Sequence, residues 1–412
     1  MFLRRVAQGF LQVTLAIYFA LLGFDPLTIG FITSVGSFVS AFQFTFFGVL
    51  SDKYGRKPFL VIGSIMSALR FLIYIFSRDL WVLIIAQVIG ALGVGAGAGQ
   101  PVVSGYIADK IRKGVKRTRI FSLIAITNAL ALTLGSLLAA LPAYFEEKME
   151  MDKVGSYLPL FWMGLILSLA SLTLMLFLRE DRRKREMTIK NSLDTLATAR
   201  EIALYSIVRV TDGLAMNLVS SLAPLYFYLR FGVESEALAP VYAASAFIPI
   251  PLYLMVPLLV SKFGYVGCLV SVRIASAFSA FSIPFLGEFS LASLALGFYR
   301  IFVQISMPMR QAFATEIADI STTGSLIGVS SSIRSLARSL APMITGYLFQ
   351  ISHLYSPFVI SSLLFLLNAL QFHIFYLRKN VNVKPSHGSH VIDNKDQTLP
   401  RNMQSKSLLK DP

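Results

Sequence analysis

Apolar and polar positions along this chain alternate on a scale of roughly twenty residues, the scale of membrane-crossing helices rather than of strands. Runs such as Pro58–Phe76, Leu80–Val103, Tyr157–Leu178 and Leu354–Leu377 hold almost no charge and end at short polar breaks. At 1.5 Å per residue, a helix of that length crosses the ~30 Å hydrocarbon layer of a bilayer. Backbone N–H and C=O groups find no water there, so the runs are predicted to be α-helices. The alternation of a membrane barrel is absent. Counting runs and breaks predicts twelve transmembrane helices, among them 80–107, 118–141, 205–229, 238–260 and 265–286. The long polar stretch 179–204 divides them into a bundle of six over 1–178 and a bundle of six over 205–377. The polar tail 378–412, with Pro385, Gly388 and Pro400, is expected to be disordered.

Composition strengthens this reading. The chain is 55% hydrophobic and only 14% charged, against about 25% charged in soluble domains. Its formal charge of +15 raises nucleic acid as a partner. The basic residues, however, sit in short breaks and the tail with few aromatics between them, which is the distribution of cytoplasmic loops. That asymmetry disfavours nucleic-acid binding. It predicts a plasma-membrane protein with both termini, the 179–204 linker and the 108–117 break in the cytoplasm, and the loop 142–156 outside. The start, with Arg4 and Arg5 ahead of an apolar helix and no small-residue cleavage site, is expected to be a retained first span. Cys268 is the single cysteine, which leaves no intramolecular disulfide and no cysteine-based metal site. The four histidines have no ligand spacing and no cofactor motif is found, so no cofactor is expected.

The two halves repeat each other. Arg5-Val-Ala-Gln-Gly9 returns as Arg209-Val-Thr-Asp-Gly213, and Tyr18-Phe-Ala-Leu21 as Tyr226-Phe-Tyr-Leu229. Ser51-Asp-Lys-Tyr-Gly55 has a counterpart in Ser261-Lys-Phe-Gly264, and Ile107-Ala-Asp109 in Ile317-Ala-Asp319. The matches keep their order at an offset of roughly 204–210 residues, as expected of two bundles related by an axis along the membrane normal.

Gly48-Val-Leu-Ser-Asp-Lys-Tyr-Gly-Arg-Lys57, after the second span, resembles the signature loop of the major facilitator superfamily. Twelve spans in two repeated halves extend the resemblance over the chain except its tail. It implies an all-α membrane fold of two pseudo-symmetric six-helix bundles, moving a small solute by alternating access. Gly48 lets another helix approach the end of span 2, and Gly55 permits the tight turn. Asp52 can accept from Arg56 and favour the positive end of a neighbouring helix. In the family this loop locks the halves together, so Gly48, Asp52, Gly55, Arg56 and Lys57 are implied to form a gating latch, with Asp109 as partner. The bland alternative is a basic topology determinant. Ser261–Gly264 lacks the acid and paired bases, so a matching latch in the second half is expected to be weak or absent. Gln87 stands where family members often carry an arginine in span 4, which counts against proton coupling there. Gly135-Ser136 departs from the Gly-Pro of drug antiporters, and sugar-porter signatures are missing.

Charges at membrane depth are expensive and mark function by default. Arg300 lies about 11 residues into span 10, ~17 Å deep. In the family, spans 1, 4, 7 and 10 line the cavity, which adds Gln12, Gln87, Asn217 and Gln304 as candidate hydrogen-bonding groups. Arg334 and Arg338 are one turn apart on span 11, and with Asn128 on span 5 they are candidates to bound the cavity. Several guanidinium groups favour a carboxylate, phosphate or sulfate. The competing reading makes the arginines internal struts, and for Arg70 and Arg273 that reading, or snorkelling, is preferred. Asp212, whose first-half counterpart is the neutral Gln8, is a candidate for coupling to protons or another ion. Alternatively, it is neutralised by Arg209. These residues point to a transporter of a small solute, with an anion favoured. Efflux of amphipathic or cationic drugs is the alternative, and a membrane sensor or scaffold is the alternative of another class. No nucleotide-binding loop, zinc helix or nucleophile turn suggests an enzyme.

Overall fold

A computed structural model describes residues 2–54, 56–93, 115–177, 196–317 and 323–377. The first bundle contains α1 (Phe2–Leu21), α2 (Pro26–Tyr54), α3 (Arg56–Phe76), α4 (Leu80–Leu92), α5 (Val115–Leu138), α6 (Leu141–Met149) and α7 (Leu158–Leu176). The second contains α8 (Leu196–Ser220), α9 (Ala223–Phe231), α10 (Ser235–Phe247), α11 (Pro249–Ser282), α12 (Phe289–Ile317), α13 (Thr323–Gln350) and α14 (Ser356–Phe372). No strand occurs among the described residues.

Twelve spans are recovered because three of them are broken. The fifth is α5 followed by α6, the seventh is α8 followed by α9, and the eighth is α10 followed by the start of α11. Pro142, Pro224 and Pro249 sit in the first turn after each break, where a missing N–H costs nothing. Spans eight and nine are joined inside α11 at Gly264, whose φ of 71° favours a residue without a Cβ. Two expectations change here. The 142–156 segment is not a loop throughout, since Leu141–Met149 is helical. The 179–204 linker also shortens, because α8 begins at Leu196. The rest of that linker, the tail, the second half of span 4 with Asp109, and Gly55 lie outside the described residues. For Gly48, Asp52 and Arg56 the helical backbone is described and the side chains are not.

Seven of the described helical stretches are long and apolar enough to cross a membrane on length and composition alone. Helices α1, α8 and α13 are not among them, and these carry Gln8, Asp212, Arg334 and Arg338; the buried Arg273 and Arg310 lie on α11 and α12, within two of the seven. The outer belt is apolar: Leu254 is 77% exposed and Phe278 70%, as a lipid-facing surface requires.

The repeat read in the sequence is built as packing. Tyr18 is fully buried with its ring edge-on to Phe161 of α7, centroids 4.9 Å apart. Tyr226 packs on Phe358 of α14 at 4.4 Å. Phe161 and Phe358 each follow shortly after the proline that opens their helix. Gly9 and Gly213 also share a role. A Cβ on Gly9 would fall 2.8 Å from the Gly135 Cα, and one on Gly213 would fall 2.9 Å from the Arg334 Cγ. The halves meet along α2 with α13 and α5 with α10. At the first crossing Gly30 faces Gly346, with a Cβ on Gly30 only 3.0 Å from the Gly346 Cα, and Ser34 Oγ accepts from the Met343 N–H at 2.8 Å.

Candidate functional site

The two ends of the bundle pair differ. At the end holding residues 150–157 and 231–235, both halves share one continuous core that includes Phe19, Tyr74, Phe161, Leu222, Tyr226 and Phe227. Over it, Lys153 Nζ donates to Glu234 Oε1 at 2.7 Å, and the Tyr157 and Ser235 hydroxyls lie 3.4 Å apart. Glu234 holds the Lys153 ammonium above the ordinary lysine range through that hydrogen bond and its charge. At the other end the second half closes on its own cluster around Tyr205, Val208, Phe313 and Tyr376.

A cavity of about 240 Å³ lies within the first half, lined by α1–α4 and, from the second half, by Arg338 of α13. It follows α1 from Arg4 through Gln8 and Gln12 to Leu15, about 17 Å of helix. Arg4, Arg70 and Arg338 contribute three guanidinium groups to its wall. Amides come from Gln8, Gln12 and Gln87, and hydroxyls from α2 and α3. No carboxylate lines it among the described residues. Arg70 bridges α3 and α4, donating from Nε to the Tyr74 hydroxyl at 2.9 Å and from Nη2 to Gln87 Oε1 at 3.3 Å. Gly90 makes this possible, because a Cβ there would lie 2.6 Å from Arg70 Nε. Arg4 is 3% exposed, and its Nε and Nη1 find no hydrogen-bond partner among the described residues.

Other residues predicted from sequence fall in different places. Gln12 lines the cavity and donates to Ser136 Oγ at 3.1 Å, and Gln87 lines it beside Arg70. Arg334 and Arg338 part company: Arg338 reaches the cavity wall, while Arg334 turns to Asp212. Arg300 faces α10, donating to Ser245 Oγ at 2.8 Å with its guanidinium 3.7 Å over the Tyr242 ring. Gln304 donates to the Ser245 carbonyl at 3.0 Å, and Asn217 to the Arg338 carbonyl at 2.8 Å, so both tie helices together. Asn128 is half-buried on α5 and outside the cavity lining. Lys57 donates to the Leu176 carbonyl at 2.7 Å. The rest of the latch lies beyond the described side chains.

Asp212 is 1% exposed and is met by arginines from three helices. Arg273 of α11 and Arg310 of α12 pair with its two oxygens, and Arg334 Nε of α13 reaches Oδ2 at 3.0 Å. Arg209 is not its main neutraliser: it donates to Ser331 Oγ at 3.3 Å and leans over Tyr205. Sequence reasoning treated Arg4 as a topology marker and Arg70 as a strut, and so missed both as cavity residues. A signal was available. Ser64, Ser67, Phe71 and Tyr74 recur at three- and four-residue spacing beside Arg70, a polar and aromatic stripe along one face of α3.

Two repeated six-helix bundles, with a polar cavity that no carboxylate lines among the described residues, have the architecture of a multi-pass membrane transporter. The family model of the Major Facilitator Superfamily matches residues 1–342, and the chain belongs to that family. It is 30% identical over 152 residues to the class H tetracycline resistance protein of Pasteurella multocida, a match covering 37% of this chain and 34% of that protein. It is 21% identical over 344 residues to multidrug resistance protein 2 of Bacillus subtilis (strain 168), covering 81% and 82% of the two chains. The tetracycline relative is therefore matched over only about a third of its length. Among solved structures, the nucleoside transporter NupG superposes with a TM-score of 0.71 at 14% identity, covering 90% of this chain and 96% of that one, which shows the shared fold.

Proposed function

We propose that this chain is a secondary transporter of small organic anions, bound between Arg4, Arg70 and Arg338 and moved by alternating access across the plasma membrane. The observation that carries the reading is the lining: three guanidinium groups, two of them from the first half and one from α13 of the second, and no carboxylate among the described residues. Guanidinium pairs with carboxylate and phosphate through two parallel hydrogen bonds, and the donors of Arg4 that lack partners are suited to that geometry. Gln8, Gln12 and Gln87 supply neutral donors around it. The end sealed by Lys153–Glu234 and the aromatic core is read as the outer side, so the conformation faces the cytoplasm, the side of Arg4 and Arg5. Rocking about the α2–α13 and α5–α10 contacts would open that seal while the Gly48–Lys57 latch and Asp109 close the inner side. A proton or another ion would supply the coupling.

Efflux of amphipathic or cationic drugs is the second reading, and the names of the two resistance proteins favour it. Against it, Asp212, the one carboxylate deep in the second half among the described residues, is already engaged by three arginines. A thermal-shift screen of the purified protein against small carboxylates, phosphate esters and lipophilic cations separates the two, since ligands of the folded state raise its apparent stability. Anions should stabilise the wild type, and Arg70→Gln should weaken that binding by about 1.5–3 kcal/mol. Stabilisation by cations alone, lost in Asp212→Asn, would establish the drug reading instead.

A further inference from the structure

The Asp212 cluster carries more positive charge than its carboxylate can balance. Arg273 is 0% exposed, Arg310 4% and Arg334 8%, and they surround one buried Asp212. Among the described residues, three cations against one anion leave two unbalanced charges in a helix bundle, where buried charge is tolerated only when paired. Arg209, one turn before Asp212 on α8, adds to the excess. The donors tell the same story. Arg273 Nε and Nη1 and Arg209 Nε are buried and have no hydrogen-bond partner among the described residues.

We propose that this cluster is a second anion site, for a small inorganic monovalent anion of the chloride class, held by Arg273, Arg310 and Arg334 beside Asp212. Size follows from the walls. Phe365 lies under the Arg273 guanidinium, 5.4 Å from ring centroid to Cζ, and Gly213 closes on the stem of Arg334. Packing this close excludes a metabolite and restricts the site to a small ion. The route in is marked by Arg334, whose side chain keeps 10% of its exposure against 4% for Arg310 and 0% for Arg273. One turn further along α13, Arg338 stands in the cavity wall. The inference rests on the charge and donor inventory of the second half and not on the solute proposed for the cavity.

The test is thermal denaturation of the full chain in detergent, with sodium gluconate replaced stepwise by sodium chloride at fixed ionic strength, so that screening is constant, and repeated in Arg70→Gln, whose cavity no longer answers to the gluconate carboxylate. The wild type should gain a saturable rise in Tm, and Arg273→Gln should lose it. Asp212→Asn removes the competing anion, so its half-saturating chloride should fall about tenfold or more. That sign is opposite to what a cation-coupling role for Asp212 requires. Crystals of the wild-type protein soaked in bromide cover the case in which the variants do not fold: an anomalous peak among Arg273, Arg310 and Arg334 is expected. No chloride dependence, an equal effect from gluconate, or a bromide peak only beside Arg338 would overturn the second site. In the last case the chloride effect would vanish in Arg338→Gln and persist in Arg273→Gln, leaving the cavity reading intact.

Discussion

Gln8 and Asp212 occupy the same place in the two repeats, and they meet different surroundings. In the first half, Gln8 accepts from Arg5 Nη1 at 2.6 Å and lines a cavity. In the second, Asp212 is sealed among three arginines from three helices. The backbone frame is alike, down to Gly9 and Gly213 one residue later, each letting a neighbouring helix close in. The charge of one side chain separates the two outcomes. A neutral amide asks little of its neighbours and can face water or a solute. A carboxylate at depth must collect cations, and those cations, drawn inward, make the second half a dry strut. The larger cavity and the charged strut thus fall mainly in different halves of one fold.

Removing the carboxylate should have the largest effect. Asp212→Ala leaves three buried guanidinium groups without their partner and should cost about 3–5 kcal/mol, read as a large drop in Tm in chloride-free buffer. Gln8→Ala, at the matching position, should leave stability nearly unchanged, and an equal loss in both would erase the contrast between the halves. Next come the paired glycines. Gly9→Val and Gly213→Val should each cost about 1–3 kcal/mol by overpacking the close crossing, and similar values would show that the halves share a frame. Arg300→Ala tests a smaller interaction. Losing the Tyr242 stacking and the Ser245 hydrogen bond should lower stability by about 2 kcal/mol while leaving anion affinity unchanged in the thermal-shift titration. The Lys153–Glu234 pair, half open to solvent on the lysine side, comes last. Lys153→Met should cost about 0.2–1 kcal/mol, less at high salt, with opening of that end seen as faster labelling of a cysteine placed at Ser235.

The spans and the repeat were legible because burial in lipid leaves a coarse signal that needs no knowledge of contacts. Which face of each span looks inward was less legible. Arg300 and Arg70 both read as isolated arginines in apolar helices. Tyr242 and Ser245 on α10 capture the first, while Gly90 and Gln87 on α4 hold the second at the cavity wall. Those partners lie on other helices, and no spacing within α3 or α12 reveals them. Asp212 stood out at once as an acid in an apolar span. That Arg273, Arg310 and Arg334 rather than Arg209 would engage it depends on helix rotation, which hydropathy does not encode. The breaks before Pro142, Pro224 and Pro249 carried a local signal, since proline opens a helix more readily than it continues one.

Proteoliposome counterflow of the anion that most stabilises the protein tests the central claim most directly. Vesicles loaded with unlabelled anion should accumulate the labelled form when they carry the wild type or Arg300→Ala, and fail to do so with Arg70→Gln combined with Arg338→Gln. Counterflow that survives the double substitution, or that runs only with lipophilic cations, would contradict an anion carried between those arginines.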